Sequence, residues 1–212
     1  MTITWYGQSC FRIDAREAVL AIDPFSKDIG LTPPRFHANL VLVTHRHSDH
    51  ANTEAIGGAP QVIAGPGEYE IRGLSVHGIA TFHDNRQGRE RGMNTAFRIS
   101  ADGITVVHLG DFGEDSLREE TADALGDVDV LLLPVGGTYT MDGSAAARIV
   151  RQIEPHIAIP MHYRVPGLKP KLEGVEEFLK ACAGPSERAA KLALKARDLG
   201  AAETRIVVLE KN

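Results

Sequence analysis

The chain has 212 residues, enough for one sizeable core, and 43% of them are hydrophobic against 24% charged. Its net charge of −5 argues against broad binding to nucleic-acid phosphates. No apolar run approaches the ~18 residues that would span a bilayer. Two cysteines, Cys10 and Cys182, exclude a disulfide framework, and "MTITWYGQSCFRID" reads as folded strand rather than a secretory leader, so the expected compartment is the cytoplasm.

In chain order, residues 2–6, 10–14 and 18–23 are expected to form a meander of short strands that ends in "AIDPF". The run "LVLV" at 40–43 predicts a buried strand. Residues 61–64, 68–72, 74–82 and 94–100 are further strand candidates, separated by glycine-containing turns. From residue 104 the pattern alternates more strictly. A strand at 104–110 is followed by a helix to about 125, opened by a Ser116–Glu119 capping box. A strand at 128–137 precedes a helix with Asp142 as N-cap and Ala146, Ile149, Val150 and Ile153 on one face. A strand at 156–162, helices near 173–182 and 186–198, and a strand at 205–210 complete the chain. Cys182 follows Val175, Phe178 and Leu179 at helical spacing, which makes it core rather than a reactive thiol. The βαβαβ run implies neighbouring parallel strands, and the strands ahead of it imply a second sheet. The expected architecture is an α+β, four-layer αββα sandwich in one domain over residues 1–212.

The chemistry concentrates in "VLVTHRHSDHAN", where an apolar strand runs into His45, His47, Asp49 and His50. Imidazoles packed together repel when protonated, and when neutral and buried each needs a partner. A metal ion supplies that partner and keeps the rings neutral. His45 and His47 are two apart, so extended backbone points them the same way. Asp49 and His50 fall where the chain turns toward a helix and can face a second ion. Zinc wants about four donors, so one loop cannot complete two sites. His83, Asp111 and His162 each follow an apolar strand run, and strand ends are where sheet enzymes gather ligands.

"THRHSDH" matches the His-x-His-x-Asp-His signature, and the chain resembles the metallo-β-lactamase-fold hydrolases. The resemblance continues through His83, the Gly110–Asp111 pair and the late histidine of "PMHY". "GPGEYEIRG", "HDNRQGRERGMNTAF", "LGDFG" and "LLPVGGTYTMD" are similar to a compact subgroup of the L-ascorbate-6-phosphate lactonase-like branch. The resemblance implies that His45, His47 and His83 hold one metal, that Asp49, His50 and His162 hold a second, and that Asp111 bridges them. Two divalent ions are implied, Zn²⁺ first, with Mn²⁺ or Fe open. His37, His77, His108 and His156 are not carried over. His77 shares strand parity with His83, but His83 stands at the strand end. His108 either supports Asp111 or is a buried, hydrogen-bonded histidine. Gln8 stands in a turn where many relatives carry histidine.

Paired divalent ions lower the pKa of a shared water to near 7 and polarise the oxygen under attack. The expected reaction is hydrolysis of a small, anionic ester, lactone or phosphodiester by a metal-bound hydroxide, with Asp49 and Asp111 as the catalytic carboxylates. Arg91, Asn94 and Arg164 are candidate substrate contacts, since polar and cationic groups there suit phosphate or carboxylate. Arg89 reads as solvated loop. Gly136, Gly137 and Tyr139 follow another strand end and either approach a ligand or make a turn. Three other functions fit the same residues less well. A di-iron redox protein of this type usually has glutamate where this chain has His47. A nuclease of this type uses an RNA-holding arm for which no insertion is evident. A closed structural zinc site would leave no room for water. The expected partner is a small molecule, with neither membrane nor nucleic acid; the resemblance is compatible with a homo-oligomer.

Overall fold

A computed structural model describes residues 1–200 and 203–212. The first half supplies strands β1 (Thr2–Gly7), β2 (Cys10–Asp14), β3 (Val19–Ile22), β4 (Leu40–Val43), β5 (Gln61–Ala64), β6 (Gly67–Ile71), β7 (Leu74–Phe82), β8 (Met93–Ala101) and β9 (Ile104–His108). The second half supplies α1 (Glu119–Leu125), β10 (Val130–Pro134), α2 (Gly143–Ile153), β11 (Ile157–Met161), α3 (Glu176–Cys182), β12 (Ser186–Ala189), β13 (Leu192–Ala193) and β14 (Arg205–Leu209).

These strands form two sheets, a six-stranded one ordered β13-β1-β2-β3-β4-β5 and an eight-stranded one ordered β12-β14-β11-β10-β9-β8-β7-β6. Period-two patterning sets their faces. Ile3, Trp5, Leu20, Ile22, Leu40 and Leu42 enter one buried cluster with Val106, Leu131, Leu133 and Ile159 of the other sheet. Between them, Ala21, Val41 and Val43 point out of the sandwich, where Ala38 and Ile56 cover them.

The outer layers are unequal. Helix α1 packs on β7, and α2 lies on β10 and against α3. Over the six-stranded sheet, among the described residues, the cover is connecting chain with single 3₁₀ turns at Lys27–Ile29 and Thr53–Ala55. Pro24, Pro33, Pro34 and the Gly57–Gly58 pair interrupt any helical period there.

Two local expectations fail. The segment predicted as a helix over 186–198 is instead β12, β13 and a 3₁₀ turn at Ala196–Asp198. β12 pairs in parallel with β14, and β13 pairs antiparallel with β1, so this segment edges first one sheet and then the other. Strand pairing overrides the helix propensity of its Ala, Lys and Arg residues. Helix α1 begins at Glu119 with Arg118 as N-cap and no side-chain cap, so the Ser116 capping box does not form. Arg118 instead donates from Nε to Glu114 Oε2 at 2.9 Å and from Nη2 to the Ala80 carbonyl at 3.1 Å. Asp142 does cap α2, its Oδ1 accepting from the Ala145 amide at 2.7 Å.

Strand direction positions the site. β3 and β4 are parallel, and β1 runs the same way because two antiparallel steps separate it from β3. β9, β10 and β11 are parallel, and β7 shares their direction by the same two-step rule. The carboxyl ends of β1, β3 and β4 meet those of β7, β9 and β11 along one edge. Two backbone hydrogen bonds stitch the sheets there, Thr95 N to Thr44 O and His162 N to Gln8 O, both 3.0 Å.

Candidate metal centre

Each strand of that edge delivers a polar residue just past its last pair. β1 delivers Gln8, β3 delivers Asp23, β4 delivers Thr44 and His45, β7 delivers His83, β9 leads to Asp111, and β11 delivers His162. Gln8, Asp23 and His162 take left-handed backbone, with φ of 50°, 46° and 51°, which β-carbon-bearing residues rarely adopt. Such strain clusters where the surrounding structure fixes a functional side chain.

All seven side chains expected as ligands come together. Three overlapping groups each place their ligand-type atoms within 4.8 Å of one another: His45–His47–His83, His45–His50–Asp111 and Asp49–His50–His162. Asp111 lies between them, 2% exposed. Its Oδ1 is 3.3 Å from His50 Nε2; its Oδ2 is 3.3 Å from Nε2 of both His83 and His162 and 3.9 Å from His45 Nε2. The His45 ring centroid is 4.2, 4.6 and 4.8 Å from those of His50, His47 and His83.

Residues around the cluster fix its tautomers. The Thr44 hydroxyl donates to Asp23 Oδ2 at 2.7 Å and therefore accepts from His45 Nδ1, 2.9 Å away. His45 Nε2 is then a lone pair aimed at the cluster. His50 Nδ1 donates to the same Asp23 oxygen at 2.8 Å, which leaves Nε2 toward Asp111 and Asp49. That Nε2 is buried and has no hydrogen-bond partner. Burial and the charge of His50 push His45 down to about 3, so its ring stays neutral. Burial opposes a charge on His50, yet Asp111 and Asp23 raise it well above the usual histidine value. Burial also opposes ionisation of Asp111, but His162 and His50 hold its carboxyl well below the usual range. A buried, carboxylate-flanked nitrogen without a hydrogen-bond partner, beside the neutral His45 ring and within reach of three more imidazoles, belongs to a donor set suited to a cation.

Asp23 and Thr44 escape a reading of the sequence alone. Asp23 is fully buried, and its Oδ1 also accepts from the Thr44 amide at 2.8 Å. The signal for it is "AIDPF", an acid at the end of a buried strand. Gln8, also almost fully buried, donates from Nε2 to Asp49 Oδ2 at 2.9 Å. His108 is consumed structurally. Its Nδ1 accepts from the Gly110 amide at 3.0 Å, so its Nε2 donates to the Ser9 carbonyl at 2.9 Å. Gly110, at φ 60°, has no room for a side chain: a β-carbon there would meet Asn94 Oδ1 at 2.4 Å. Gly136 likewise gives way to the His162 carbonyl, which a β-carbon would meet at 2.1 Å, so its role is packing against the chain.

A cavity of about 360 Å³ opens over His47, Asp49, His83, Asp111 and His162, and Arg91, Tyr139, Ile29 and Pro170 also line it. Of the three expected substrate contacts only Arg91 is there. Asn94 is buried, and its amide is spent on Thr81 Oγ1, the Leu109 carbonyl and the Asp111 amide at 2.7, 2.8 and 3.0 Å. It positions Asp111 instead of facing the cavity. Arg164 is exposed and lies outside the lining. Arg89 is exposed, as expected of a solvated loop. His77 pairs across β7–β8 with Arg98, and His156 lies 3.4 Å from Asp129; neither joins the cluster. His37 lines a separate, more open groove of about 670 Å³ that holds no member of the cluster.

Comparison with known proteins agrees with this geometry. Residues 2–162 match the family described as the beta-lactamase superfamily domain. A UPF0173 metal-dependent hydrolase of Thermoplasma acidophilum is 35% identical over 210 residues, covering 87% of this chain and 91% of its own. A crystal structure of a metallo-beta-lactamase superfamily protein from Thermotoga maritima is 32% identical with a TM-score of 0.81, and the match covers 99% of both chains. A diiron β-hydroxylase of Streptomyces venezuelae shares the fold alone, at 13% identity and TM-score 0.58, over 98% of this chain and 53% of its own. With its strand-end His/Asp cluster able to hold metal, the chain belongs to the UPF0173 metal-dependent hydrolases of the metallo-β-lactamase superfamily.

Proposed function

We propose that this hydrolase is dinuclear and that residues 1–212 form one catalytic domain acting on a small anionic ester, lactone or phosphodiester. The observation that carries the reading is the place of Asp111 between two ligand groups, one oxygen toward His50 and the other toward His83 and His162. His45, His47 and His83 would hold one ion, Asp49, His50 and His162 the other, and Asp111 both. When bound, such a pair supplies a water-derived nucleophile at neutral pH and an electrophile for the attacked carbonyl or phosphoryl oxygen. Imidazole-rich ligation favours Zn²⁺, with Mn²⁺ or Fe as the alternatives.

The chain's own residues prepare the site. Asp23 and Thr44 orient His50 and His45, Asn94 fixes the Asp111 backbone, and Gln8 holds one oxygen of Asp49. Asp49 would take or return a proton only with blunted basicity, because it would also ligate metal and because, against the effect of burial, His50 holds its carboxyl well below the usual range. A cavity of about 360 Å³ lies at the low end of the roughly 300–1,000 Å³ usual for small-ligand sites, which suits a metabolite better than a polymer. The sequence likeness to the L-ascorbate-6-phosphate lactonase-like branch points the same way. We place the protein in the cytoplasm.

The test is a screen of zinc-reconstituted protein against lactones, phosphodiesters and thioesters, with His47→Ala as control. Activity on at least one class is expected, lowered roughly 100-fold or more in the variant. Equal activity in the variant would refute the assignment. Protein that carries two irons as purified, shows their visible absorption band and hydrolyses none of these substrates would point to redox chemistry instead.

A further inference from the structure

We propose that Arg91 and Tyr139 form an anion subsite in the cavity over the cluster, so that the substrate carries a carboxylate or phosphate separate from the bond that is cleaved. The proposal rests on the hydrolase reading for the position of that bond, and the subsite itself rests on three independent features.

The first is how the loop is held. The Asp84 carboxylate is buried and accepts four backbone N–H groups: Arg86 and Gly88 on Oδ1, both at 2.8 Å, and Glu90 and Arg91 on Oδ2 at 3.0 and 2.8 Å. One acid inside the loop thus fixes the backbone of Arg91, eight residues beyond His83. That is much more organisation than a solvated charged loop needs.

The second is the state of the guanidinium. Arg91 lies 5.1 Å from the Tyr139 ring centroid and spends one donor, Nη2, on the Thr138 carbonyl at 3.1 Å. Among the described residues it makes no ion pair. Its loop neighbour Arg86 is instead paired with Glu90, at 2.8 Å. A stacked guanidinium with most of its five N–H donors unspent is set up to take a carboxylate or phosphate in fork geometry.

The third is Tyr139 itself. It is 40% exposed, one of few large apolar side chains so placed. The turn that presents it has left-handed backbone at Gly137 and Thr138, with φ of 58° and 56°. Both members of the pair line the same cavity as His47, Asp49, His83, Asp111 and His162. One end of a small substrate can therefore meet Arg91 while the other reaches the cluster.

The test uses zinc-loaded protein and three inert probes: glutarate and 3-phosphonopropionate, which carry two anionic groups, and butyrate, which carries one. Calorimetry on wild type should show at least one of the two-headed probes binding about tenfold or more tighter than butyrate. The better of the two identifies carboxylate or phosphate as the favoured group. Arg91→Ala should bring that ratio close to one, while Arg89→Ala, outside the cavity, should leave it in place. If Arg91→Ala fails to fold, Arg91→Lys keeps a charge but loses the fork and should lower the ratio several-fold. No discrimination in wild type, or full discrimination without the Arg91 fork, would overturn the proposal. Turnover of 4-nitrophenyl butyrate against mono-4-nitrophenyl glutarate separates the two readings. Cleavage of neither ester, with anion discrimination intact, counts against a carboxylic ester as the substrate and leaves the subsite standing; equal cleavage of both counts against the subsite.

Discussion

Asp23 shows how much of this site lies behind the residues that would touch metal. One of its oxygens receives both the Thr44 hydroxyl and His50 Nδ1, and so sets two imidazole tautomers at once. Asp23→Ala should weaken zinc binding by roughly 10–100-fold, measured by competition with a chromogenic chelator, while circular dichroism stays that of the folded chain. Unchanged affinity would mean that the tautomers are set without it. The histidine turn is legible in the sequence because four ligand-type side chains in six positions have little use except to hold a cation. Asp23 is not, because a lone acid after a strand has many ordinary uses, and its partners are 21 and 27 positions away. Asn94 misleads for a related reason: an amide two residues past a glycine loop looks available until the carbonyl that engages it is seen in space. Arg91 stands out because cations in a loop after a ligand invite the question, but nothing in the sequence separates it from Arg164.

At the scale of elements, stop and start signals are legible where a side chain closes the backbone locally. Asp142 is the clear case, and Asp142→Ala should cost about 1 kcal/mol, lowering the melting temperature by roughly 2–4 °C. A loss well above that would mean the acid does more than cap α2. The segment 186–198 misleads because its residues suit a helix, while sheet edges recruit it. Leu192 and Leu194 are buried two apart, a strand period that is present in "KLALKA" and outweighed by composition. The absence of α-helix over the six-stranded sheet, among the described residues, is legible in retrospect from the prolines and glycines between β3 and β5.

For the whole molecule, the alternation of strands and helices is enough to reach the two-sheet sandwich, because parallel strands force crossovers and two buried sheet faces need each other. Strand direction then explains why ligands from His45 to His162 meet: six strands that run the same way end along one edge. That edge gathers buried acids and imidazoles whose ligand-type atoms lie within 4.8 Å of one another in three overlapping groups. Metal binds the folded state and not the open chain, so removal should cost stability as well as activity. At a free zinc concentration about a thousandfold above Kd the gain is about 4 kcal/mol, and chelation should lower the melting temperature by roughly 10 °C. No shift on chelation would argue that the cluster holds no ion.

Whether two ions share Asp111 can be seen by anomalous diffraction at the zinc edge from crystals of the zinc-loaded protein. Two peaks are predicted, one among His45, His47 and His83 and one among Asp49, His50 and His162, with the Asp111 carboxylate reaching both. A single peak, or peaks away from Asp111, would contradict a dinuclear centre.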